Sequence, residues 1–325
     1  MHAWQFDRYG RYDEVLEWVE RPLPEPGPGQ ARVRTAAVSL NFPDLLICQG
    51  LYQVRAPLPA VPGVEGVGVV EAVGPDSPFR VGERVVSFNN EAGMLADCFL
   101  ANNATSWTVP EHVSDVQAAA LSVTYGTSYY ALVHRARIAA GEVLLVLGAA
   151  GGVGLAAIQL GKILGARVIA AAGSTEKLEV CRQQGADALI NYRDGDLVEQ
   201  VKALTDGRGA DVIYDPVGGD LFDQVKRCIA WDGRILIIGF AGGRIPSIEC
   251  NRMLLKNMSV VGLAWGMCVE RDPATGARCQ HHLYDLLKVS AIDPVIYRTL
   301  PFSAVRDGMR LIESRELYGK VVIER

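Results

Sequence analysis

Nineteen consecutive residues, Val143 to Gly161, carry no charge, and this run constrains the fold more than any other stretch of the chain. Its length suits a membrane-spanning helix. Five of its residues are glycine, however (Gly148, Gly151, Gly152, Gly154 and Gly161), and its pattern changes partway. Residues 143–147 are continuously apolar, as in a buried strand, whereas from Gly152 onward Val153, Ala157, Leu160 and Leu164 recur at helical spacing. A strand, a tight glycine turn and a buried helix account for the same residues without a membrane.

The run opens an alternation. Further apolar runs lie at 167–171, 188–191, 211–215, 234–239 and 259–263, with helical stretches between them. Six nearly continuous apolar strands in such an order predict a parallel sheet covered by helices on both faces. The first part of the chain is different. Eleven of the 16 prolines lie in residues 1–110 and none between 111 and 215. Short β-like runs at 31–40, 66–73 and 84–88 are separated by Pro-Gly and Gly-rich turns. A compact, barrel-like β domain is expected there, and 325 residues is length enough for two domains.

Charge narrows the partners. With 32 basic against 37 acidic residues the net charge is −5, which provides no field for drawing in nucleic acid or an anionic membrane surface. The seven cysteines are scattered and form no C-x-x-C pair, the pattern of free thiols in a reducing compartment. No apolar run marks a targeting peptide in the first fourteen residues, so the expected location is the cytoplasm.

Gly148–Gly154, reading GAAGGVG, falls between the first strand and its helix. Glycines there let the backbone approach a pyrophosphate, held by N–H groups at the helix N-terminus. Ala150, Gly151, Gly152 and Val153 are the expected cofactor contacts. An NAD site carries a carboxylate at the end of the second strand for the ribose 2′-OH; here residues 171–177 read AAGSTEK. Ala172 has no carboxylate, and Glu176 lies beyond the strand end. Gly173 followed by the Ser174 hydroxyl and the Lys177 ammonium suits a 2′-phosphate, so the expected cofactor is NADPH.

Five segments, VSLNFPD (38–44), PGVEGVG (62–68), AAGGVG (149–154), DPVGG (215–219) and GKVV (319–322), together resemble the zinc-independent NADPH:quinone oxidoreductases of the medium-chain dehydrogenase/reductase superfamily. The resemblance covers nearly the whole chain. It implies an α/β fold class: a GroES-like β domain of residues 1–122 with 266–325, and a Rossmann domain, a doubly wound parallel sheet, of residues 123–265. It also implies an active site between them and a homodimer, commonly built through the Rossmann sheet edge. By the same resemblance Asn41 and Thr127 lie close to the nicotinamide or its ribose, Tyr52 lines the substrate side, and Asp44 orients Asn41 or a water. Ser174 and Lys177 match the family's phosphate end, Tyr192 closes over the 2′-phosphate, Phe240 packs near the cofactor, and Lys320 sits near the nicotinamide end.

Zinc-dependent relatives carry a G-H-E motif whose histidine binds the metal; the corresponding residue here is Val64. Cys48 is offset from the other ligand position, and only Cys98 lies near where a structural zinc lobe would fall. Tetrahedral zinc needs three or four S, N or O ligands, so no metal is expected. Charge developing on a substrate oxygen must then meet hydrogen-bond donors, for which Asn41, Tyr52 and Thr127 are the candidates. The expected function is hydride transfer from NADPH to a quinone or another electron-poor acceptor such as an activated alkene. The alternatives are a 2-enal, enone or enoyl-thioester reductase of the same superfamily and, in a different class, an NADPH-binding structural or RNA-binding protein. The acidic charge argues against RNA.

Overall fold

The uncharged run folds as a strand, Val143–Val146, a turn, and a helix, Gly152–Ile163, in a computed structural model that describes residues 1–89 and 92–325. No helix among the described residues is long and apolar enough to cross a membrane. The chain separates into two units, Met1–Val123 with Gly266–Arg325, and Thr124–Trp265.

The unit Thr124–Trp265 holds a six-stranded sheet that is parallel throughout. Taken in chain order, the strands are Val143–Val146, Arg167–Ala172, Ala188–Asn191, Ala210–Asp215, Ile229–Ile237 and Ser259–Gly262. Across the sheet they run third, second, first, fourth, fifth, sixth, so the order reverses beside the first strand. Such a reversal leaves a crevice at the carboxyl ends of the strands on either side of it, and the glycine turn stands there. The fifth strand begins at Ile229, well before the apolar run predicted from 234. Exposed Trp231 and Asp232 interrupt the apolar pattern, and a register shift accommodates them.

The helix Gly152–Ile163 is buried on more sides than the predicted stripe allows: every residue from Gly154 to Gly161 is buried, whereas Val153 and Leu164 are only half-buried. One side faces the sheet. Another faces the helix Thr124–Tyr129, from which Ser128 donates to the Val153 carbonyl at 3.0 Å and Tyr125 donates to Gln159 at 2.8 Å. Short side chains permit this double packing.

In the other unit a seven-stranded sheet is built around Gln30–Leu40, an eleven-residue strand that pairs antiparallel with Glu65–Val73, Cys98–Asn102 and Lys320–Glu324. Two register shifts against Glu65–Val73 mark bulges, which bend a strand and raise its twist. Gly68 is required at the second: a Cβ there would sit 1.9 Å from the Arg34 carbonyl oxygen. The core of this unit includes Val33, Val38, Leu40, Val64, Val321 and Ile323, so residues from both ends of the chain share one interior.

Gly161 sets how closely the helix Gly152–Ile163 approaches the sheet, since a Cβ there would lie 2.7 Å from Leu144 and 3.1 Å from Val168. Gly161→Val is expected to lower unfolding free energy by about 1–3 kcal/mol through overpacking. Urea denaturation with an unchanged m-value tests this; wild-type stability would mean that the helix lifts away at no cost.

Candidate active site

The Rossmann-type unit contributes a crevice lined largely by backbone. Gly148 has φ +55, and its carbonyl accepts from Gly151 N–H at 2.9 Å, closing the turn. Gly151 is the N-cap of the helix Gly152–Ile163 and provides no side-chain cap, so the first N–H groups face outward without a protein acceptor on their own cap. Gly154 admits no Cβ, which would lie 2.5 Å from the Ala149 oxygen and 2.6 Å from that of Gly148. Ala150 is buried, and Gly151, Gly152 and Val153 are half-buried along the turn. Opposite them, Asp215 ends the fourth strand and its Oδ1 accepts from Val217 and Gly218 N–H, each at 2.8 Å. Its Oδ2 is buried with no partner, and burial holds the carboxyl above its ordinary range. The segment 239–242 is laced to 215–217 by backbone bonds, which brings half-buried Phe240 within 3.2 Å of where a Gly218 Cβ would be.

At the end of the second strand the side chains change character. Ala172 is buried and Glu176 is exposed, so no carboxylate occupies the strand end. Ser174 is the N-cap of the helix Thr175–Gln183, and its Oγ accepts from Lys177 N–H at 3.4 Å. Ser174 therefore has a capping role whatever else it binds. A Cβ on Gly173 would meet the Tyr192 hydroxyl at 3.0 Å and Arg193 Nε at 3.2 Å. Arg193 is a residue that sequence reasoning passed over. Exposed and with no acidic partner among the described residues, it stands with Tyr192 beside Gly173, just before Ser174 and Lys177 in the chain. Its place directly after Tyr192 was the available signal. This donor set, with two cations and two hydroxyls and no strand-end carboxylate, fits a 2′-phosphorylated dinucleotide. Thr127 is half-buried on the helix Thr124–Tyr129, beside Ser128, which tethers that helix to Val153.

The other unit contributes a buried polar cluster. Asn41 precedes the helix Phe42–Gln49, and its N–H donates to Asp44 Oδ2 at 2.8 Å; Asp44 Oδ1 accepts from Gly63 N–H at 2.9 Å. The Asn41 amide donates to Glu65 Oε1 at 2.9 Å and to the Ser39 carbonyl at 3.0 Å. Lys320 Nζ donates to Asn41 Oδ1 at 2.6 Å, Glu65 Oε1 at 3.0 Å and the Leu40 carbonyl at 3.1 Å. Glu65 Oε2 accepts from Val123 N–H at 2.8 Å. Both carboxylates are fully buried, Lys320 is 5% exposed and Asn41 7%. Burial pushes Asp44 up to about 6 against its two N–H donors and the Lys320 charge.

Asn41, Asp44 and Lys320 are thus brought together, but the expected donor role of Asn41 needs correction because both amide hydrogens are already committed. Asp44 orients Asn41 through its backbone N–H. Glu65 was missed: it lies inside the quoted PGVEGVG segment, yet nothing local announces that it holds Lys320. Tyr52 is half-buried and its hydroxyl has no hydrogen-bond partner among the described residues; burial and then the Asp44 charge raise its pKa, which keeps it a donor. Val64, at the place of the zinc ligand in metal-dependent relatives, is 2% exposed within the apolar core. Among the described residues no group of three or more His, Cys, Asp or Glu could hold a metal ion.

Comparison with known proteins agrees with both units. Residues 27–136 match the alcohol dehydrogenase GroES-like domain, and residues 152–278 match the family described as zinc-binding dehydrogenase. Quinone oxidoreductase-like protein 2 of Rattus norvegicus is 40% identical over 311 residues, covering 95% of this chain and 88% of the relative. The structure of Escherichia coli quinone oxidoreductase complexed with NADPH superposes with a TM-score of 0.93 at 28% identity, covering 100% of both chains. CurK enoyl reductase superposes with a TM-score of 0.88 at 26% identity, covering 99% of this chain and 98% of the other.

The raised Asp44 value has a sign. A carboxyl that holds its proton more tightly when folded favours the folded state while protonated. Ionisation withdraws about 3 kcal/mol as pH rises from the ordinary value of 3.8 to about 6. A ¹³C carboxyl resonance present in wild type and missing in Asp44→Asn is expected to titrate near pH 6; a midpoint below 4.5 would show that the two N–H donors outweigh burial.

Proposed function

The chain belongs to the quinone oxidoreductase family of the medium-chain dehydrogenase/reductase superfamily and is an oxidoreductase; from that premise we propose that it is an NADPH-dependent, metal-free reductase of quinones or other electron-poor acceptors. The observation that carries the cofactor assignment is the end of the second strand. Buried Ala172 has no carboxylate to accept from a ribose 2′-OH, and Gly173 lies against Tyr192 and Arg193, with Ser174 and Lys177 following it in the chain. The NADPH complex of the similar Escherichia coli enzyme supports the same reading.

When bound, NADPH supplies the hydride, and the chain's own residues bind, orient and exclude water. Ala150, Gly151, Gly152 and Val153 present backbone to the pyrophosphate, and Phe240 packs at the same crevice. Thr127, Asn41 and Lys320 serve the nicotinamide end, and Asp44 fixes Asn41. The Tyr52 hydroxyl is the donor for charge developing on the acceptor oxygen. Apolar Val64 supports a cleft without a Lewis acid. A 2-enal or enoyl-thioester substrate is the second reading, supported by the likeness to CurK enoyl reductase. We read the protein as a cytoplasmic homodimer, with the terminal strand Ser259–Gly262, paired on one side only, as its docking edge; the net charge of −5 argues against a nucleic-acid partner.

NADPH is expected to give a much higher kcat/KM than NADH. Lys177→Ala removes one charge-assisted contact, of about 1.5–3 kcal/mol, and should lower the NADPH constant roughly tenfold to a hundredfold while NADH changes little. Equal use of both cofactors by wild type would refute the assignment.

Tyr52→Phe should lower kcat for enones by about a hundredfold, the scale of one lost oxyanion donor, with less effect on quinones, whose reduction is already favoured by aromatisation. Stopped-flow NADPH oxidation with both acceptor classes measures this, and unchanged rates in both would remove Tyr52 from the chemistry.

A further inference from the structure

The glycine turn at 148–152 offers its backbone to a ligand because large side chains are absent, and the same absence leaves it conformationally permissive. Its N–H groups have to be held from outside. One chain of hydrogen bonds reaches both of its ends. Before the turn, Leu147 N–H donates to the Tyr214 carbonyl at 3.0 Å. After it, the Val153 carbonyl accepts from Ser128 Oγ at 3.0 Å, and that Oγ lies 2.8 Å from the Tyr214 hydroxyl.

The direction of these bonds follows from counting hydrogens. Ser128 Oγ has one, and the carbonyls of Thr124, at 2.8 Å, and Val153 can only accept it. Tyr214 is fully buried, and among the described residues its hydroxyl meets no other partner, so it donates to Ser128. That donation occupies a lone pair of Oγ and turns its hydrogen toward the two carbonyls, which share it. Burial raises the Tyr214 pKa, so the proton stays on the phenol.

We propose that Tyr214 and Ser128 are positioning residues that brace the glycine turn, holding the N–H groups at the start of the helix Gly152–Ile163 in place for the diphosphate of the cofactor. Both act through the backbone, and all the groups involved lie in the unit Thr124–Trp265. The proposal rests on the dinucleotide reading above. A second tie joins the same two helices, from Tyr125 to Gln159 at 2.8 Å. Gln159 stands in the middle of its helix, away from the turn, and this contrast separates bracing of the turn from helix packing in general.

The test is equilibrium binding by calorimetry, without turnover, of NADP⁺, NADH and adenosine 2′-phosphate, which has the phosphorylated ribose but no diphosphate. Thermal unfolding is followed in parallel. Ser128→Ala/Tyr214→Phe removes both hydroxyls together, so neither is left buried without a partner, and stability should stay close to wild type. NADP⁺ should bind about threefold to tenfold more weakly, the scale of one hydrogen bond, while adenosine 2′-phosphate keeps its wild-type affinity. Tyr125→Phe should leave both affinities unchanged. Wild-type affinity for NADP⁺ in the folded double variant would overturn the proposal, as would equal weakening of adenosine 2′-phosphate or the same loss of NADP⁺ binding in Tyr125→Phe. Should the double variant not fold, Tyr214→Phe, which keeps the Ser128 hydroxyl, takes its place under the same outcomes. Wild type that binds NADH but neither 2′-phosphorylated ligand would overturn the NADPH reading alone; the brace is then judged in the same way on NADH, which carries the same diphosphate.

Discussion

A buried carboxylate and a buried ammonium, 255 residues apart in sequence and 3.0 Å apart in space, organise the unit that carries the polar cluster. Taking both charges out of water costs several kcal/mol per ion, and the attraction offsets this only when the remaining hydrogen-bonding capacity is filled. Here it is filled: Glu65 accepts three bonds and Lys320 donates three. The geometry has a consequence for topology. Glu65 begins one strand, Lys320 begins the last strand, and Val123 closes the first segment of the unit. One carboxylate therefore fixes the register of the returning C-terminal strand against the strand that leads to Asn41.

The dinucleotide unit is organised in the opposite way, by the absence of side chains. Gly148, Gly154 and Gly173 leave space that backbone or a neighbouring hydroxyl already borders, and the charged groups stand at the far end of the crevice, at Lys177 and Arg193. A ligand with a diphosphate at its middle and a third phosphate on its ribose meets both features at once. On the proposed reading position 172 bears on the choice of cofactor, because a carboxylate there would repel that third phosphate and a buried alanine does not.

Much of this was legible in the sequence because it depends on local pattern. Strand and helix periods located the six-stranded sheet, and the glycine turn could be read from its flanks. The fifth strand was misjudged where exposed Trp231 and Asp232 broke the apolar run, since the pairing that makes them strand residues lies in the neighbouring strand. The helix after the glycine turn looked amphipathic and is buried almost throughout, because its second cover, the helix Thr124–Tyr129, leaves no mark in the pattern of the first. The polar cluster was half legible. Asn41, Asp44 and Lys320 could be named from motifs, but whether Asn41 gives or receives a hydrogen bond depends on Ser39, Glu65 and Lys320 meeting in space. No spacing rule encodes a contact across 279 residues.

The polarity of that cluster bears on acceptor scope. On the proposed reading no Lewis acid polarises the substrate, so its oxygen depends on hydrogen-bond donors in a dry cleft. Asn41 and Lys320 have none to spare, and Asp44 and Glu65 are occupied as acceptors of backbone and side-chain N–H groups. In this unit the Tyr52 hydroxyl remains, and its raised pKa keeps the proton in place. One neutral donor stabilises a developing oxyanion far less than a metal ion does. An unactivated ketone, whose reduction places nearly a full charge on oxygen, is therefore outside what this site can support. A quinone or a conjugated enone spreads that charge over the π-system before the proton arrives and falls within it. On that reading the same satisfied cluster that gives the unit its register favours acceptors that are already electron-poor.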